Sequence, residues 1–379
     1  MLLSIEPFEI KVNKETINDL SNRLALTRWP DELEGINWNQ GANLDYMKEL
    51  IDYWQNEYDW WRMEAELNKY SHFIAKIDDS NIHFIHEHGK GPNPTPIILT
   101  HGWPGSFFEL YKLIPLLTDP ESYGGDPDNS FDVIIPSLPG YGFSDRPHKS
   151  GMGSLRRTAG LWAKLMTDEL GYKRFASAGG DFGAVVTQHL AESYPELLIG
   201  IHLTYIGVYF STPEESELSE AEKIYLKNIQ QWVMLEGGYM MIHSTKPQSL
   251  SYGLNDSPVG LAAWITEKFQ SWTDKEEVIG HISKDELLTN IMIYWVTQTI
   301  SSSMRTYSEE MPGKLEPLPP VPAAFAAFPD DINPPPREWV ERRINLKQWT
   351  EMPRGGHFAA LEEPKLYAND IISFFQKLE

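Results

Sequence analysis

The sequence predicts an α/β protein in which a mostly parallel central sheet carries an N-terminal helical extension and an inserted helical lid. Helical periodicity dominates residues 1–73, whereas short apolar runs typical of strands alternate with helical stretches over residues 74–210. The strand signals disappear over residues 211–318 and return in residues 319–379. Because strands that alternate with helices typically form a parallel sheet with helices on both faces, the pattern predicts one core that a helical block interrupts.

The N-terminal extension contains two predicted helices. Asn13 can cap the first helix, whose Ile17, Leu20 and Leu24 share one face. The second helix has an apolar stripe at alternating three- and four-residue steps, which consists of Leu44, Met47, Ile51, Trp54 and Tyr58. An aromatic stripe at this spacing indicates core packing rather than a cofactor site.

Short apolar runs predict the core strands, and longer stretches between them predict helices. The strand candidates are residues 82–85, 97–99, 133–135 and 321–328. The helical stretches that separate them include residues 106–117 and 154–170. Within the lid, a helix is predicted to begin near Pro258, and a proline-rich connection over residues 311–322 leads back to the core.

The composition narrows the classes of function. The chain has 379 residues, of which 41% are hydrophobic, enough for one large core or two moderate domains. Acidic residues outnumber basic ones by 54 to 32, and the net charge of -22 disfavours nucleic acids and anionic membranes as partners. The absence of cysteine excludes disulfides, thiol nucleophiles and iron–sulfur clusters. With no basic leader and no run of about 20 apolar residues, we expect a soluble, cytoplasmic protein without a membrane anchor.

A buried strand, a glycine-rich turn and a helix follow one another over residues 175–186. In a nucleophile elbow, a tight strand-to-helix turn lifts one side chain off the sheet, and small flanking residues leave room for the turn. Gly179 and Gly183 lie two residues on either side of Asp181, whereas Ser177 lies inside the strand, so the serine form of the motif does not fit. The pattern predicts Asp181 as a nucleophile, although an aspartate there could also simply cap the helix.

Two further motifs favour catalysis over capping. Residues 99–106 predict a strand, a tight loop and a helix upstream of the elbow, so that the backbone N–H groups of Trp103 and Phe182 could form an oxyanion hole. His357 follows the last predicted strand, which is where such a fold supplies its general base.

The triad also requires an acid, which fixes the tautomer of the imidazole and stabilises its charged form. In chain order, this acid lies between the nucleophile and the base. Asp330 and Asp331 end the preceding predicted strand, and the residues alone leave both open. With either aspartate, the chain order of nucleophile, acid and base is complete.

Four motifs follow one another along the chain: HGWPGS at 101–106, PGYGFS at 139–144, GDFG at 180–183 and RGGHFAA at 354–360. Together they resemble the α/β-hydrolase-fold epoxide hydrolases, specifically the microsomal-type branch that has an N-terminal helical segment before the core. The likeness extends over nearly the whole chain. It implies the α/β-hydrolase fold and the hydrolysis of a small apolar epoxide by water to a vicinal diol, as in detoxification, without a metal or organic cofactor.

The resemblance also implies roles for individual residues. Asp181 corresponds to the nucleophile, His357 to the base, and Asp331 to the acid, because the family pattern places the acid one residue beyond Phe-Pro-x. Asp181 would form a hydroxyalkyl ester, which water activated by His357 would then hydrolyse. The two lid tyrosines with which the family binds the epoxide oxygen fall on Tyr239 and Tyr307.

The residues alone leave two other functions possible. A haloalkane or haloacid dehalogenase uses aspartate and histidine on the same scaffold, but it expels halide and needs indole or amide donors, so Tyr239 and Tyr307 distinguish the two reactions. A non-catalytic small-molecule binding protein would keep a pocket without the chemistry. The N-terminal helices could cover the core, clamp the lid or support a homodimer.

Three histidines near the first core strand raise the question of a metal site. On a strand, His86 and His88 share one face while His83 lies on the other. Because the pattern contains no further ligand, we expect no metal site here.

Overall fold

A nine-stranded sheet lies at the centre of the part of the chain that the structure describes. The computed structural model describes residues 5–207, 210–211, 214–274, 281–309, 313–314 and 316–378. In chain order, the strands are β1 Ile5–Phe8, β2 His72–Ile77, β3 Ser80–Glu87, β4 Thr95–Thr100, β5 Phe131–Pro136, β6 Phe175–Gly179, β7 Leu198–Leu203, β8 Pro322–Ala327 and β9 Asn345–Glu351. Their order across the sheet is β1-β2-β3-β5-β4-β6-β7-β8-β9.

Strands β4 to β9 run parallel, and β1, β2 and β3 add an antiparallel edge through the pairing of β3 with β5. The predicted α/β class with a mostly parallel sheet is therefore confirmed. Four strand candidates coincide with β3, β4, β5 and β8. Strand β1 was not predicted, because it pairs with β2, which lies far along the chain, and no local pattern indicates that pairing.

Helices flank the sheet and form most of the segment between β7 and β8. They are α1 Lys14–Ala25, α2 Leu44–Asn56, α3 Trp60–Leu67, α4 Leu113–Thr118, α5 Leu155–Lys164, α6 Asp181–Ser193, α7 Glu220–Glu236, α8 Gly238–Thr245, α9 Pro247–Asp256, α10 Pro258–Trp272, α11 Lys284–Thr297, α12 Ile300–Glu309, α13 Arg337–Glu341, α14 Ala359–Glu362 and α15 Pro364–Phe375. Two short strands, Phe210–Ser211 and Gly313–Lys314, pair in parallel. The Asn13 side chain caps α1 by accepting a hydrogen bond from the Thr16 N–H at 2.7 Å, as predicted.

The N-terminal helices contact the helical segment between β7 and β8. The Arg23 guanidinium pairs with the Asp256 carboxylate at the end of α9, with 2.7 Å between Nη1 and Oδ1. The Tyr58 hydroxyl lies 3.0 Å from the Thr289 hydroxyl of α11. A groove of about 760 Å³ runs between the two segments, and none of the predicted site residues lines it.

Across the residues that the structure describes, no helix combines the length and the continuous apolar character that crossing a bilayer requires.

Candidate active site

Asp181 stands at the sharp turn between β6 and α6. Its backbone φ is +46°, in the left-handed region that side-chain-bearing residues rarely adopt. The turn is possible because glycines surround it: a Cβ on Gly183 would lie 1.9 Å from the Thr100 carbonyl oxygen, and one on Gly102 would lie 2.3 Å from the Asp181 side chain. The strained turn therefore lifts the Asp181 carboxylate off the end of the sheet, and 18% of that side chain is exposed.

The loop after β4 supplies a hydrogen-bond donor to this carboxylate. The Trp103 N–H donates to Asp181 Oδ1 at 2.8 Å. Phe182 is the second residue of α6, where backbone N–H groups have no partner within their own helix. The structure thus places the Trp103 N–H on the carboxylate, and the corresponding role of the Phe182 N–H stays a prediction.

Helix α11 holds the loop after β4 in position through two buried polar side chains. The Asn290 amide donates to the Pro104 carbonyl and accepts from the Ser106 hydroxyl, both at 2.8 Å. The Tyr294 hydroxyl donates to the Gly105 carbonyl at 2.7 Å. Neither residue was predicted from the sequence, although a buried asparagine in an otherwise apolar helical stretch is a signal that could have indicated a polar anchor.

His357 lies between two carboxylates. Its Nδ1 donates to Asp331 Oδ1 at 2.5 Å, and its Nε2 lies 3.5 Å from Asp181 Oδ2. The side chains of His357 and Asp331 are only 3% and 5% exposed. The backbone N–H of Asp330 donates to the Gly355 carbonyl, in a bridge beside the histidine loop. Of the two aspartates that the sequence left open, the structure therefore brings Asp331 to the imidazole.

The two carboxylates control the protonation of His357. Burial alone lowers the pKa of the imidazole, because it penalises the charged form, but the carboxylates of Asp331 and Asp181 outweigh burial. The pKa of His357 consequently lies well above its ordinary value. With both carboxylates charged, the imidazolium form is favoured.

Glu362 holds the loop that carries His357. One of its carboxylate oxygens accepts hydrogen bonds from the N–H groups of Asp274 at 2.8 Å and Gly356 at 3.2 Å, and the other accepts from Phe358 at 3.0 Å. Burial outweighs these hydrogen bonds and raises the pKa of Glu362 to about 7. Glu362 was not predicted from the sequence, because its partners lie on the loop and just after α10.

Aromatic rings from the helical segment pack around the elbow. The Tyr239 ring of α8 stacks on Trp103 with 5.3 Å between centroids, and the Tyr307 ring of α12 meets Tyr239 edge-on at 5.8 Å. Tyr307 also packs against Phe182 at 4.8 Å, and Trp272 packs against the His357 ring at 5.2 Å. Both predicted tyrosines therefore lie in the ring cluster that surrounds the elbow.

A buried cation lies behind Tyr239. The Lys268 ammonium is 4.5 Å from the centroid of the Tyr239 ring and pairs with the neighbouring Glu267 carboxylate. Burial, and then the charge of Lys268, lower the pKa of His243 to about 3, so this imidazole is neutral. Its Nε2 accepts a hydrogen bond from the Trp264 indole at 3.2 Å.

The chain matches known proteins over its whole length. The family model for the epoxide hydrolase N terminus matches residues 5–110, and the model for the alpha/beta hydrolase fold matches residues 95–234. Epoxide hydrolase 1 of Oryctolagus cuniculus is 42% identical over 99% of this chain and 90% of its own length.

Solved structures agree with these matches. The epoxide hydrolase of Aspergillus niger superposes with a TM-score of 0.87 at 30% identity, covering 99% of this chain and 96% of its own. The juvenile hormone epoxide hydrolase of Bombyx mori superposes with a TM-score of 0.86 at 32% identity, covering 99% and 94%. The predicted resemblance is thereby confirmed, and the chain belongs to the epoxide hydrolase family.

Proposed function

We propose that this chain hydrolyses an epoxide to a vicinal diol in two steps, through a covalent ester of Asp181. The observation that carries the proposal is the position of the Asp181 carboxylate: one oxygen accepts the Trp103 N–H, and the other lies 3.5 Å from the His357 imidazole. This arrangement places a stabilising donor and a base beside the carboxyl group of the nucleophile, on either side of Cγ of Asp181. Family membership supports the same reaction.

In the first step, Asp181 opens the epoxide. Oδ1 is engaged by the Trp103 N–H, which leaves Oδ2 to attack a ring carbon. The new bond between Oδ2 and carbon forms as the ring C–O bond breaks, and the departing oxygen takes a proton from a tyrosine hydroxyl. The products of this step are a hydroxyalkyl ester of Asp181 and a tyrosinate.

Tyr239 and Tyr307 are the proposed proton donors. A phenol with an ordinary pKa of about 10 stays protonated at neutral pH and can donate to a developing alkoxide. Both rings belong to the cluster above Asp181. The Lys268 cation beside the Tyr239 ring favours the negative charge that this phenol acquires as it gives up its proton.

In the second step, water hydrolyses the ester. His357 accepts a proton from water, whose oxygen attacks Cγ of Asp181, and the negative charge that develops on Oδ1 is stabilised by the N–H groups of Trp103 and Phe182. The bond between Cγ and Oδ2 then breaks, and the departing alkoxide takes the proton from His357. A diol leaves, the carboxylate is restored and the tyrosine regains its proton from solvent.

Ester formation itself prepares His357 for the second step. In the free protein, the charges of Asp331 and Asp181 both raise the pKa of the imidazole. Alkylation removes the charge of Asp181, so the pKa of His357 falls and its neutral form, which is the one that can accept a proton, gains in population. Asp331 keeps the imidazole oriented throughout.

A dehalogenase activity is the second candidate, and one observation favours it. Among the described residues, the indole N–H groups of Trp103 and Trp272 are buried without a hydrogen-bond partner, and indole donors are the groups that a leaving halide requires. Assays with an aryl epoxide and with a chloroalkane separate the two reactions. We expect diol from the epoxide, and halide release without diol formation would favour the dehalogenase.

Replacing the two tyrosines by phenylalanine tests their role. We expect Tyr239→Phe and Tyr307→Phe each to slow epoxide opening by about 10²-fold, and the double variant by about 10⁴-fold, because a positioned general acid contributes in this range. The measurement is the single-turnover rate of ester formation with an aryl epoxide. Tyr252→Phe is the matched control, because this tyrosine of α9 is 73% exposed. A double variant that opens the epoxide at the wild-type rate would remove the tyrosines from the mechanism.

A further inference from the structure

A second group of titratable side chains lies at the end of the sheet where the parallel strands begin, opposite to the end that carries Asp181. His86 is near the end of β3, His88 follows that strand, and Asp132 is near the beginning of β5, which pairs antiparallel with β3. One potential ligand atom from each of the three lies within 4.8 Å of the others. The sequence pattern contained only the histidines, and the pairing of two strands supplies the carboxylate that it lacked.

The separation of two of these atoms matches metal coordination. His88 Nδ1 and Asp132 Oδ1 are 3.3 Å apart. In a tetrahedral zinc site with ligands about 2.0–2.1 Å from the ion, neighbouring ligand atoms are about 3.3 Å apart. The His88 side chain is 74% exposed, so it can adjust its position, whereas the Asp132 side chain is only 11% exposed.

Hydrogen bonds hold the Asp132 carboxylate in place. Oδ1 accepts from the Gly89 N–H at 2.9 Å, and Oδ2 accepts from the Tyr172 hydroxyl at 2.8 Å. Such bonds orient a ligating carboxylate in metal sites and strengthen its binding. Oδ1 keeps a second lone pair for an ion that lies between Asp132 and the histidines, because a carboxylate oxygen can accept more than one contact.

His86 can offer Nε2 of its half-buried ring as a ligand atom. Its Nε2 lies 3.1 Å from the Tyr172 oxygen. Because the single proton of Tyr172 is directed to Asp132, His86 Nε2–H is the donor in this contact. A cation that binds Nε2 therefore replaces this hydrogen bond, and the ring then carries its proton on Nδ1.

We infer that His86, His88 and Asp132 bind one divalent transition-metal ion of the zinc class. Two imidazoles and a carboxylate are a ligand set that zinc accepts, and the exposure of His88 leaves room for water as a fourth ligand. The ion would connect the end of β3 to the beginning of β5. Its site differs from the proposed catalytic one, because Asp181 and Asp331 follow the carboxyl ends of β6 and β8.

Zinc titration of the metal-free full chain tests the inference. Isothermal titration calorimetry with Zn²⁺ measures stoichiometry and affinity, and thermal unfolding measures the effect on stability. We expect one zinc ion per chain and a rise in Tm of about 3 °C or more at saturation, since an ion that binds only the folded state stabilises it. We expect the rate of diol formation per folded chain to stay unchanged, because the two sites lie at opposite ends of the parallel strands.

Three variants locate the ion. We expect His88→Ala to weaken zinc binding by roughly 10-fold or more and to abolish the rise in Tm. His148→Ala removes another exposed histidine, and His357→Gln removes the imidazole next to Asp181, so both should bind zinc as the wild type does. Because His88 is exposed, metal-free His88→Ala should unfold at the wild-type temperature. The inference is overturned if the wild type binds no zinc, if His88→Ala binds it equally well, or if His357→Gln loses it.

Discussion

Asp181→Ala is expected to form diol from an aryl epoxide about 10⁶-fold more slowly than the wild type, close to the uncatalysed rate. The side chain is the only proposed nucleophile, and the remaining groups act on an ester that no longer forms. Catalytic residues that act as a unit lose most of their rate enhancement when one of them is removed. The presence of His357 and the tyrosines should therefore not reduce the loss of activity in Asp181→Ala. The measurement is the rate of diol formation at saturating epoxide.

A second substitution separates chemistry from folding at this strained position. Asp181 has a φ of +46°, which asparagine tolerates better than alanine does. Asp181→Asn keeps the shape and an oxygen for the Trp103 N–H but removes the charge, and we expect an equally large loss. The control is Asp168→Ala, at an exposed aspartate on the segment after α5. Wild-type rates in both Asp181 variants would dismiss nucleophilic catalysis by this residue.

His357→Gln is expected to stop the reaction after its first half. In the proposed mechanism, epoxide opening needs only the carboxylate and the tyrosines, whereas ester hydrolysis needs the imidazole to accept a proton from water. Steady-state diol formation should therefore fall on the order of 10⁶-fold, while the protein accumulates ester. Intact-protein mass spectrometry should detect one substrate mass per chain, carried by the peptide that contains Asp181.

The double variant His357→Gln with Asp181→Asn serves as the control for this adduct, because it keeps the altered base but lacks the nucleophile. No adduct should form on it. The two-step account would be contradicted if His357→Gln turned over at the wild-type rate, or if its adduct appeared on a residue other than Asp181.

Local patterns in the sequence predicted most of the fold. The cap at Asn13, the apolar runs in β3, β4 and β5 and the glycine-rich elbow each depend on neighbouring residues, and the structure contains all of them. Strand β1 was missed, because it is stabilised by pairing with a strand distant in sequence. The domain boundaries at residues 73, 210 and 318 stay predictions.

The candidate site was predictable where a motif marks it. Asp181, Trp103 and His357 each lie in a short motif, and the structure brings all three together. The residues alone could not separate Asp330 from Asp331, because the choice depends on how the backbone pairs beside the histidine loop.

The supporting groups were not predictable in the same way. Glu362 acts on the histidine loop through backbone N–H groups, and Asn290 holds the loop after β4 from a distant helix. Lys268 contacts Tyr239 across two lid helices. The sequence around Asn290 marks a polar residue in an apolar helix, but the partners in all these contacts follow from the packing of distant segments, which no local pattern identifies.

A single turnover in ¹⁸O-labelled water, with the protein in excess over an aryl epoxide, tests most directly whether a covalent ester on Asp181 is the intermediate. If water attacks the carboxyl carbon of Asp181, the first diol contains only unlabelled oxygen and the label enters the peptide that carries this residue. Label in the first diol, with none in the protein, would mean that water attacks the epoxide directly and would contradict the account.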